Sequence, residues 1–280
     1  MALILAATPL GNPADASARL KSAIEDATII AAEDSRRFHR LCSDIGVTFT
    51  ARVLSFFEGN EDERTQELLA ELESGSHVLV VSDAGMPTIS DPGFRLMREA
   101  IARGLEVSVI PGPSAVTMAV ALSGLPTDRF TFEGFPPRTA GARVAIFEKL
   151  RHEERTMVFF EAPHRLGDCL SDAQSVFGPD RRGAICREMT KHYEETIRGS
   201  LSDLSSWADA NEVLGEITLV VAGAVLDSAS LTADEMVARV REFEAAGMDR
   251  KGAIASVAAE FGIAKRLVYA AVVDANKMSK

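Results

Sequence analysis

Three charged segments directly follow apolar segments that have the composition of buried strands. They are Glu33-Asp-Ser-Arg-Arg37, Glu161-Ala-Pro-His-Arg165 and Arg187-Glu-Met-Thr-Lys191. Carboxylates can orient a ligand or accept a proton from it, and arginines suit bidentate binding of phosphate. Each segment alone would be an unremarkable set of ion pairs. Because all three come at strand ends, together they predict a site in the mouth of a cleft.

Three turn-rich segments also come at predicted strand ends. They are residues 7–12 (Ala-Thr-Pro-Leu-Gly-Asn), 82–93 (Ser-Asp-Ala-Gly-Met-Pro-Thr-Ile-Ser-Asp-Pro-Gly) and 110–115 (Ile-Pro-Gly-Pro-Ser-Ala). None is a Gly-x-Gly-x-x-Gly or Walker A loop, so nicotinamide and nucleoside-triphosphate binding lose support. One such segment would indicate only a turn. Three at the same edge of a sheet predict a ligand-binding cleft.

Strand and helix patterns alternate along most of the chain, which predicts an α/β protein with a mainly parallel first sheet. In the second half the predicted strands Ala184–Glu188 and Glu195–Gly199 are too close for a crossover helix, so that sheet should be mixed. Pro126-Thr-Asp is the predicted hinge. We predict an amino-terminal lobe over 1–124, a carboxy-terminal lobe over 125–224 and a helical tail over 231–280, preceded by a small, polar segment (224–230).

The composition favours an enzyme acting on a small molecule. The chain has 280 residues, 46% hydrophobic and 25% charged, with a net charge of −11 that argues against nonspecific coating of nucleic acid. The three cysteines are too far apart for a zinc site or a disulfide framework, and we expect no metal. No segment has the length and apolarity of a membrane helix, and the first residues predict a strand rather than a signal peptide.

The tail has the Ala and Gly spacing of a helix-turn-helix between Val257 and Tyr269. It carries 8 Lys and Arg against 7 Asp and Glu, so it is nearly neutral. A small helical cap and a nucleic-acid contact are both compatible with this pattern.

Eight motifs occur in order: Ala-Thr-Pro-Leu-Gly-Asn, Ala-Glu-Asp-Ser-Arg-Arg, Ser-Asp-Ala-Gly-Met-Pro with Ser-Asp-Pro-Gly, Pro-Gly-Pro-Ser-Ala, Glu-Gly-Phe, Phe-Glu-Ala-Pro-His-Arg, Arg-Glu-Met-Thr-Lys and Gly-Glu-Ile-Thr-Leu-Val. Through them the sequence resembles, from residue 3 to about 223, the bacterial 16S rRNA (cytidine-2′-O)-methyltransferases. These belong to the tetrapyrrole methylase-like, class III S-adenosylmethionine-dependent family. The tail resembles their carboxy-terminal domain. Ser35 and Met86 stand where the family usually has Thr, and residues 57–61 replace a His-Asn-Glu-like segment.

The resemblance implies a two-lobed tetrapyrrole methylase-like fold with S-adenosylmethionine in the cleft between the lobes. Asp83 would pair with the amino group of this cofactor. By position, the cofactor-binding residues would be Pro9, Leu10, Asp83, Gly85, Met86, Ser114, Ala115, Phe160 and Glu161.

The resemblance also implies methylation of a ribose 2′-hydroxyl, for which we predict Glu33 or Asp34 as the orienting or deprotonating group. An ion-pair network with the neighbouring arginines is an equally good interpretation of this pair. We interpret residues 135–143 as a mobile substrate loop, although solvated surface charge remains an alternative. The predicted RNA-binding residues are Arg36, Arg37, Arg138, Arg143, Arg165 and Lys191.

The expected substrate is a cytidine in the decoding region of 16S rRNA, methylated within the assembled small ribosomal subunit. The resemblance further implies a cytoplasmic homodimer without membrane association. Two alternatives stay open: a methylase of the same fold acting on a corrin or other tetrapyrrole precursor, and a non-enzymatic regulator that binds nucleic acid.

Overall fold

The computed structural model describes residues 2–224, 232–261 and 263–278, and its first five strands form one parallel sheet. These strands are β1 (Ala2–Ala6), β2 (Ile29–Ala32), β3 (Arg52–Ser55), β4 (His77–Val81) and β5 (Val107–Ile110). Their spatial order is β3-β2-β4-β1-β5. All four residues of β2 are buried, as expected for a strand covered on both faces. The predicted parallel sheet is confirmed.

Helices cover both faces of this first sheet. They are α1 (Ala18–Asp26), α2 (Ser35–Ile45), α3 (Glu61–Glu73) and α4 (Phe94–Ala102). Side chains alternate along β2, so that Ile30 packs with α1 and α2 whereas Ile29 packs with α3 and α4. The connecting loops that follow β1, β2, β4 and β5 consequently meet at the carboxyl edge of the sheet.

The second sheet is mixed. It contains β6 (Phe130–Gly134), β7 (Thr156–Glu161), β8 (Arg182–Arg187), β9 (Glu195–Ser200) and β10 (Ile217–Val221) in the order β6-β7-β10-β8-β9. β6 and β7 are parallel, and the other neighbouring pairs are antiparallel. Ile217 at the start of β10 is paired with Glu161 at the end of β7. The start of β10 therefore lies beside the charged segment that follows β7.

Four helices pack on this mixed sheet. α5 (Ala115–Ser123) covers one face, with Val116 and Val120 against Val158 and Val220. α6 (Ala140–Leu150), α7 (Leu166–Phe177) and α8 (Leu201–Ala210) cover the other. The predicted boundary between the lobes, at residues 124 and 125, falls just after α5.

The predicted mobile loop over residues 135–143 is wrong in its second part, because α6 begins at Ala140. The two prolines and Gly141 in this segment are typical of turns, and they concealed the helix from sequence analysis. The apolar side of the helix is carried by Val144 and Phe147, of which Phe147 is fully buried.

Two compact units make up the chain. The first contains Met1–Arg151 and Arg155–Ala222, and the second contains His152–Glu154 and Gly223–Lys280. In the second unit α9 (Ala233–Ala245), α10 (Arg250–Glu260) and α11 (Lys265–Met278) share one small apolar core. Of the predicted small, polar segment 224–230, residues 225–230 lie outside the described residues, as does Gly262 of the helix-turn-helix pattern. None of the described helices has the length and apolarity to cross a membrane.

Candidate functional site

The loops after β1 and β4 are joined by hydrogen bonds at the carboxyl edge of the first sheet. Thr8 N donates to Gly85 O at 2.9 Å, and Gly85 N donates to Thr8 O at 3.1 Å. The fully buried Thr8 hydroxyl also donates to Ser82 O at 3.1 Å. Gly85 has a φ of +79°, and a Cβ there would lie 3.2 Å from Leu10 Cδ2. A glycine is therefore required for the two loops to approach each other.

A pocket of about 410 Å³, called here the cleft pocket, opens where these loops meet the mixed sheet. Its volume lies within the range of small-molecule sites. It is lined by Leu10, Glu33, Arg37, Asp83, Ala84, Gly85, Met86, Ile89, Ser90, Asp91, Ser114, Ala115, Phe135, Phe160, Glu161, Ala162, Pro163, Met189, Gly215, Glu216, Ile217 and Thr218.

Eight of the nine residues predicted to bind the cofactor line the cleft pocket. The exception is Pro9, which is buried and does not line the pocket. Sequence analysis missed the wall formed by residues 89–91, 189 and 215–218. The motifs Ser-Asp-Pro-Gly and Gly-Glu-Ile-Thr were visible in the sequence, and they supplied the signal that could have identified part of this wall.

A second cavity, of about 610 Å³, lies between α1 and the amino-terminal end of β4. It is larger than the cleft pocket, but it lies away from the motif-bearing loops. Ligands of open α/β sheets bind at the carboxyl ends of the strands, and we therefore place the candidate site in the cleft pocket.

The two predicted catalytic carboxylates, Glu33 and Asp34, belong to a hydrogen-bonded network. Glu33 Oε2 accepts the Asp83 amide at 3.0 Å, and Asp83 Oδ1 accepts the Asp34 amide at 3.0 Å. The other Asp83 oxygen pairs with Arg37 Nη1 at 2.9 Å. These bonds fix the ends of β2 and β4 relative to each other.

Asp34 caps α2 and does not line the cleft pocket. Its Oδ1 accepts the Arg36 amide at 2.8 Å, and its Oδ2 accepts Arg36 Nη2 at 2.8 Å. The side-chain hydrogen bond from Arg36, followed by the backbone bond, lowers the pKa of Asp34 to about 2. Such a carboxylate is a weak base, which favours the ion-pair interpretation for this residue.

Asp91 is a half-buried carboxylate in the wall of the cleft pocket that sequence analysis did not single out. Burial is the main cause that raises its pKa, to about 7, and the negative charge of Glu33 is the next. Asp83 and Glu216 add to the increase, and a hydrogen bond with Ser82 opposes it.

Four non-glycine residues in the described parts of the chain have positive φ, and all occur in two loops next to the cleft pocket. Thr88 and Ser90 (φ 77° and 64°) precede Asp91, and Glu188 and Thr190 (φ 50° and 67°) flank Met189. This conformation is costly for a β-branched residue, and such strain concentrates at functional sites.

Glu161 and Arg165 form a buried pair at the end of β7. Arg165 Nε lies 3.2 Å from Glu161 Oε1, and the guanidinium donates to Pro136 O at 2.6 Å. Within the described residues, Glu161 Oε2 is buried without a hydrogen-bond partner. This carboxylate oxygen belongs to a residue that lines the cleft pocket, so it is available to a donor group of a ligand.

The predicted RNA-binding residues divide into exposed and engaged side chains. Arg138 is exposed, whereas Arg36 and Arg37, with 90% and 58% of their side chains exposed, pair with Asp34 and Asp83. Arg165 is engaged as described above, and Lys191 pairs with Glu188 and Glu216 at 2.8 and 3.0 Å.

Arg143 requires a correction, because its side chain is buried in the carboxy-terminal lobe. Only 3% of the residue is exposed, and its Nε and Nη2 contact Asp172 Oδ2 at 2.7 and 2.6 Å. The helical position of Arg143 in α6 turns it toward α7, which removes it from the surface that RNA could reach.

The cleft pocket has the features that a cationic nucleoside ligand needs. Carboxylates outnumber cations in its wall, and Phe160 and Ile217 supply apolar surface. Ser114 makes no side-chain hydrogen bond to the first turn of α5, so the positive helix end can receive a ligand carboxylate. S-adenosylmethionine, which combines a sulfonium, an amino-acid tail and an adenine, fits this donor set. The described residues contain no group of three or more His, Cys, Asp or Glu that could hold a metal ion.

Comparisons with known proteins agree with this site. Residues 2–205 match the family of Tetrapyrrole (Corrin/Porphyrin) Methylases. The chain is 49% identical to the ribosomal RNA small subunit methyltransferase I of Mycobacterium bovis, covering 98% of this chain and 95% of the relative. It is 38% identical to the protein of the same name from Pseudomonas aeruginosa, covering 95% of each.

Solved structures show the same fold at low sequence identity. A cobalt precorrin-4 methyltransferase matches with a TM-score of 0.58 at 16% identity, covering 79% of this chain and 94% of that one. The uroporphyrin-III C-methyltransferase of Thermus thermophilus, complexed with S-adenosylhomocysteine, matches with a TM-score of 0.55 at 14% identity, covering 79% and 96%. The predicted fold class is confirmed. The chain belongs to the tetrapyrrole methylase family and, within it, to the family of ribosomal RNA small subunit methyltransferase I.

Proposed function

We propose that this protein is an S-adenosylmethionine-dependent methyltransferase that methylates the 2′-hydroxyl of a cytidine in small-subunit ribosomal RNA. The observation that carries the proposal is the 49% identity, over nearly the whole chain, to relatives named ribosomal RNA small subunit methyltransferase I. The choice of cytidine and of the 2′-oxygen rests on the motif resemblance, and the cleft pocket supplies a suitable site.

When bound, S-adenosylmethionine supplies a methyl group on a positively charged sulfur, which is already a good leaving group. The protein then has to hold the ribose oxygen in line with that methyl, a contribution worth up to roughly 7–11 kcal/mol of the barrier. Rigid loops serve this purpose, and the Thr8–Gly85 bridge and the Glu33–Asp83 bond make the pocket wall rigid.

Cations outside the pocket are suited to hold the RNA backbone. Arg36 has 90% of its side chain exposed, and Arg138 is exposed on the segment before α6. Arginine binds phosphate through two hydrogen bonds, and a basic rim around an acidic pocket would admit a ribose while the phosphates stay outside. The substrate in this proposal is the assembled small subunit in the cytoplasm, and the active species is a homodimer.

A corrin or tetrapyrrole precursor is the alternative substrate, and the fold alone is compatible with it. Such precursors carry several carboxylates. The titratable residues in the pocket wall are mostly acidic, namely Glu33, Asp83, Asp91, Glu161 and Glu216, against Arg37. Repulsion between like charges disfavours a polyanionic substrate there.

The test is transfer of a labelled methyl group from S-adenosylmethionine to small ribosomal subunits isolated from cells that lack this protein, followed by nucleoside analysis. The expected product is a 2′-O-methylated cytidine. Binding of S-adenosylmethionine without transfer to these subunits would reject the rRNA substrate. Free rRNA and assembled subunits, assayed side by side, distinguish the two forms of the substrate.

A further inference from the structure

Phe135 is an exposed aromatic side chain in the wall of the cleft pocket. It is 55% exposed, although phenylalanine is among the residues most often buried in folded proteins. The ring of Phe160 lies beside it, with 5.6 Å between the ring centroids and an interplanar angle of 63°. This edge-to-face contact leaves more than half of Phe135 exposed. The side chain therefore offers aromatic surface that the described residues do not cover.

The backbone before Phe135 accounts for its place in the pocket wall. β6 pairs in parallel with β7, but the register shifts between Phe132 and Gly134. Gly134 has a φ of +69°, a conformation that glycine adopts without steric cost. Such an irregularity bends a strand and changes the direction of the side chains that follow it. Phe135 consequently lines the pocket instead of continuing the pairing with β7.

The chain after Phe135 is held by a mostly buried arginine. Arg165 donates to Pro136 O at 2.6 Å and to Pro137 O at 3.2 Å. The fully buried side chain of Glu161 pairs with this arginine at 3.2 Å. Two successive prolines also restrict the backbone. The exposed ring thus stands on a rigid support, so binding a ligand through it costs little conformational entropy.

A flat, aromatic group is the ligand chemistry that suits this surface. Nucleobases stack on phenylalanine rings, and proteins that bind unpaired RNA use such rings to hold a base. Two nucleobases meet at the proposed site: the adenine of S-adenosylmethionine and the base of the nucleotide that is methylated. A small cofactor is largely enclosed by its pocket, which suits the less exposed Phe160. The greater exposure of Phe135 favours the base of a polymeric substrate, which approaches from solvent.

We propose that Phe135 stacks on the base of the nucleotide whose ribose is methylated, an inference that rests on the proposed methylation of rRNA. A base that leaves the RNA structure loses its stacking on neighbouring bases, and a stack on the protein replaces it. The ring binds the substrate through its base and thereby holds the attached ribose at the cleft pocket. It takes no part in the transfer of the methyl group or of the proton.

Loss of this stack should weaken the use of RNA and leave cofactor binding unaffected. F135L keeps an apolar side chain but removes the flat ring, whereas F135Y keeps the ring. Stacking of a base on an aromatic side chain corresponds to about 5- to 150-fold in affinity, so kcat/KM for small subunits should fall by about that factor in F135L. The change should appear mainly in KM, because the stack is present both in the bound substrate and in the transition state. F135Y should remain near the wild-type value.

The experiment measures kcat and KM of methyl transfer to small subunits from cells that lack the protein, at saturating S-adenosylmethionine. Calorimetry gives the affinity of each variant for S-adenosylmethionine, which should equal that of the wild type. The matched control is F130L, which removes an exposed ring at the other end of β6 and should behave as the wild type. Activity in F135Y but not in F135L identifies stacking, since leucine would serve equally well if the ring only filled space.

The outcomes separate the base stack from the overall function. Wild-type kcat/KM in F135L would overturn the stack and leave the proposed function standing. Weaker binding of S-adenosylmethionine by F135L would assign the ring to the cofactor and overturn the stack as well. A loss in F135Y as large as that in F135L would also overturn it, because the aromatic ring would not be what the substrate needs. Absence of transfer by the wild-type protein would overturn the proposed function and this inference together.

Discussion

Replacing Asp172, which forms a buried ion pair with Arg143, tests whether Arg143 stabilises the fold or contacts RNA. The Arg143 guanidinium pairs with Asp172 and also donates to Arg138 O at 3.5 Å, and the Arg143 side chain is only 4% exposed. The substitution D172N keeps the shape of the partner and removes its charge. It leaves a buried guanidinium without a counter-charge, which is one of the few single changes that destabilise a protein strongly.

The loss of stability expected for D172N follows from the burial of the ion pair. Removing one partner of a buried ion pair costs about 3–5 kcal/mol, and because the Asp172 side chain is 21% exposed we expect the lower end, about 3 kcal/mol. For a unit of this size each kcal/mol lowers Tm by about 2–4 °C, so D172N should unfold about 6–12 °C below the wild type.

The assay is thermal unfolding followed by circular dichroism, with R138M as the control that removes an exposed charge from the same segment. R138M should shift Tm by less than about 2 °C, since exposed charges contribute little to stability. The double variant R143M/D172L should recover most of the loss, because an apolar pair of similar volume removes both buried charges. Wild-type Tm for D172N, together with rRNA affinity that falls in R143M, would refute the structural role of Arg143.

Three further predictions follow from local geometry. S17A should destabilise the protein by about 1 kcal/mol in urea unfolding, because the Ser17 hydroxyl accepts the Leu20 amide at 3.0 Å and caps α1; an unchanged midpoint would contradict this. G215A should weaken S-adenosylmethionine binding in calorimetry, because φ is +86° and the added Cβ would collide with Glu188 beside the cleft pocket. A chain of residues 1–222 should bind S-adenosylmethionine within a few-fold of the full chain, since every pocket-lining residue lies in the first unit; loss of binding despite a folded circular dichroism spectrum would contradict it.

The two sheets could be predicted from the sequence because their strands are short, apolar and bounded by turns. In β2 and β4 nearly every residue is buried, which is the pattern of a strand covered on both faces. The carboxyl ends of parallel strands meet at one edge, so the loops that follow β1, β4 and β5 had to come together. This is why all the residues chosen from those loops except Pro9 line one pocket, although their contact with the cofactor stays a prediction.

The interaction partners and the burial of individual charged side chains could not be predicted from the sequence in the same way. Arg143 belongs to a segment of turn-rich composition, and only the phase of α6 reveals that it points toward α7. Asp91 lies within a visible motif, but its raised pKa comes from burial and from Glu33, a residue distant in the chain. Such properties depend on which side chains meet across loops, and hydrophobic periodicity does not specify this.

The acidic wall of the cleft pocket and the negative net charge of the chain bear on how an RNA substrate can be held. Phosphates need local cations, so they have to be bound outside a pocket whose wall carries five carboxylates and Arg37. The same carboxylates favour a ligand with a positive sulfur over the neutral thioether that remains after transfer. In the proposed function the charge distribution therefore divides the work: the acidic pocket favours the cationic methyl donor, and exposed arginines such as Arg36 are the candidates for binding RNA phosphates.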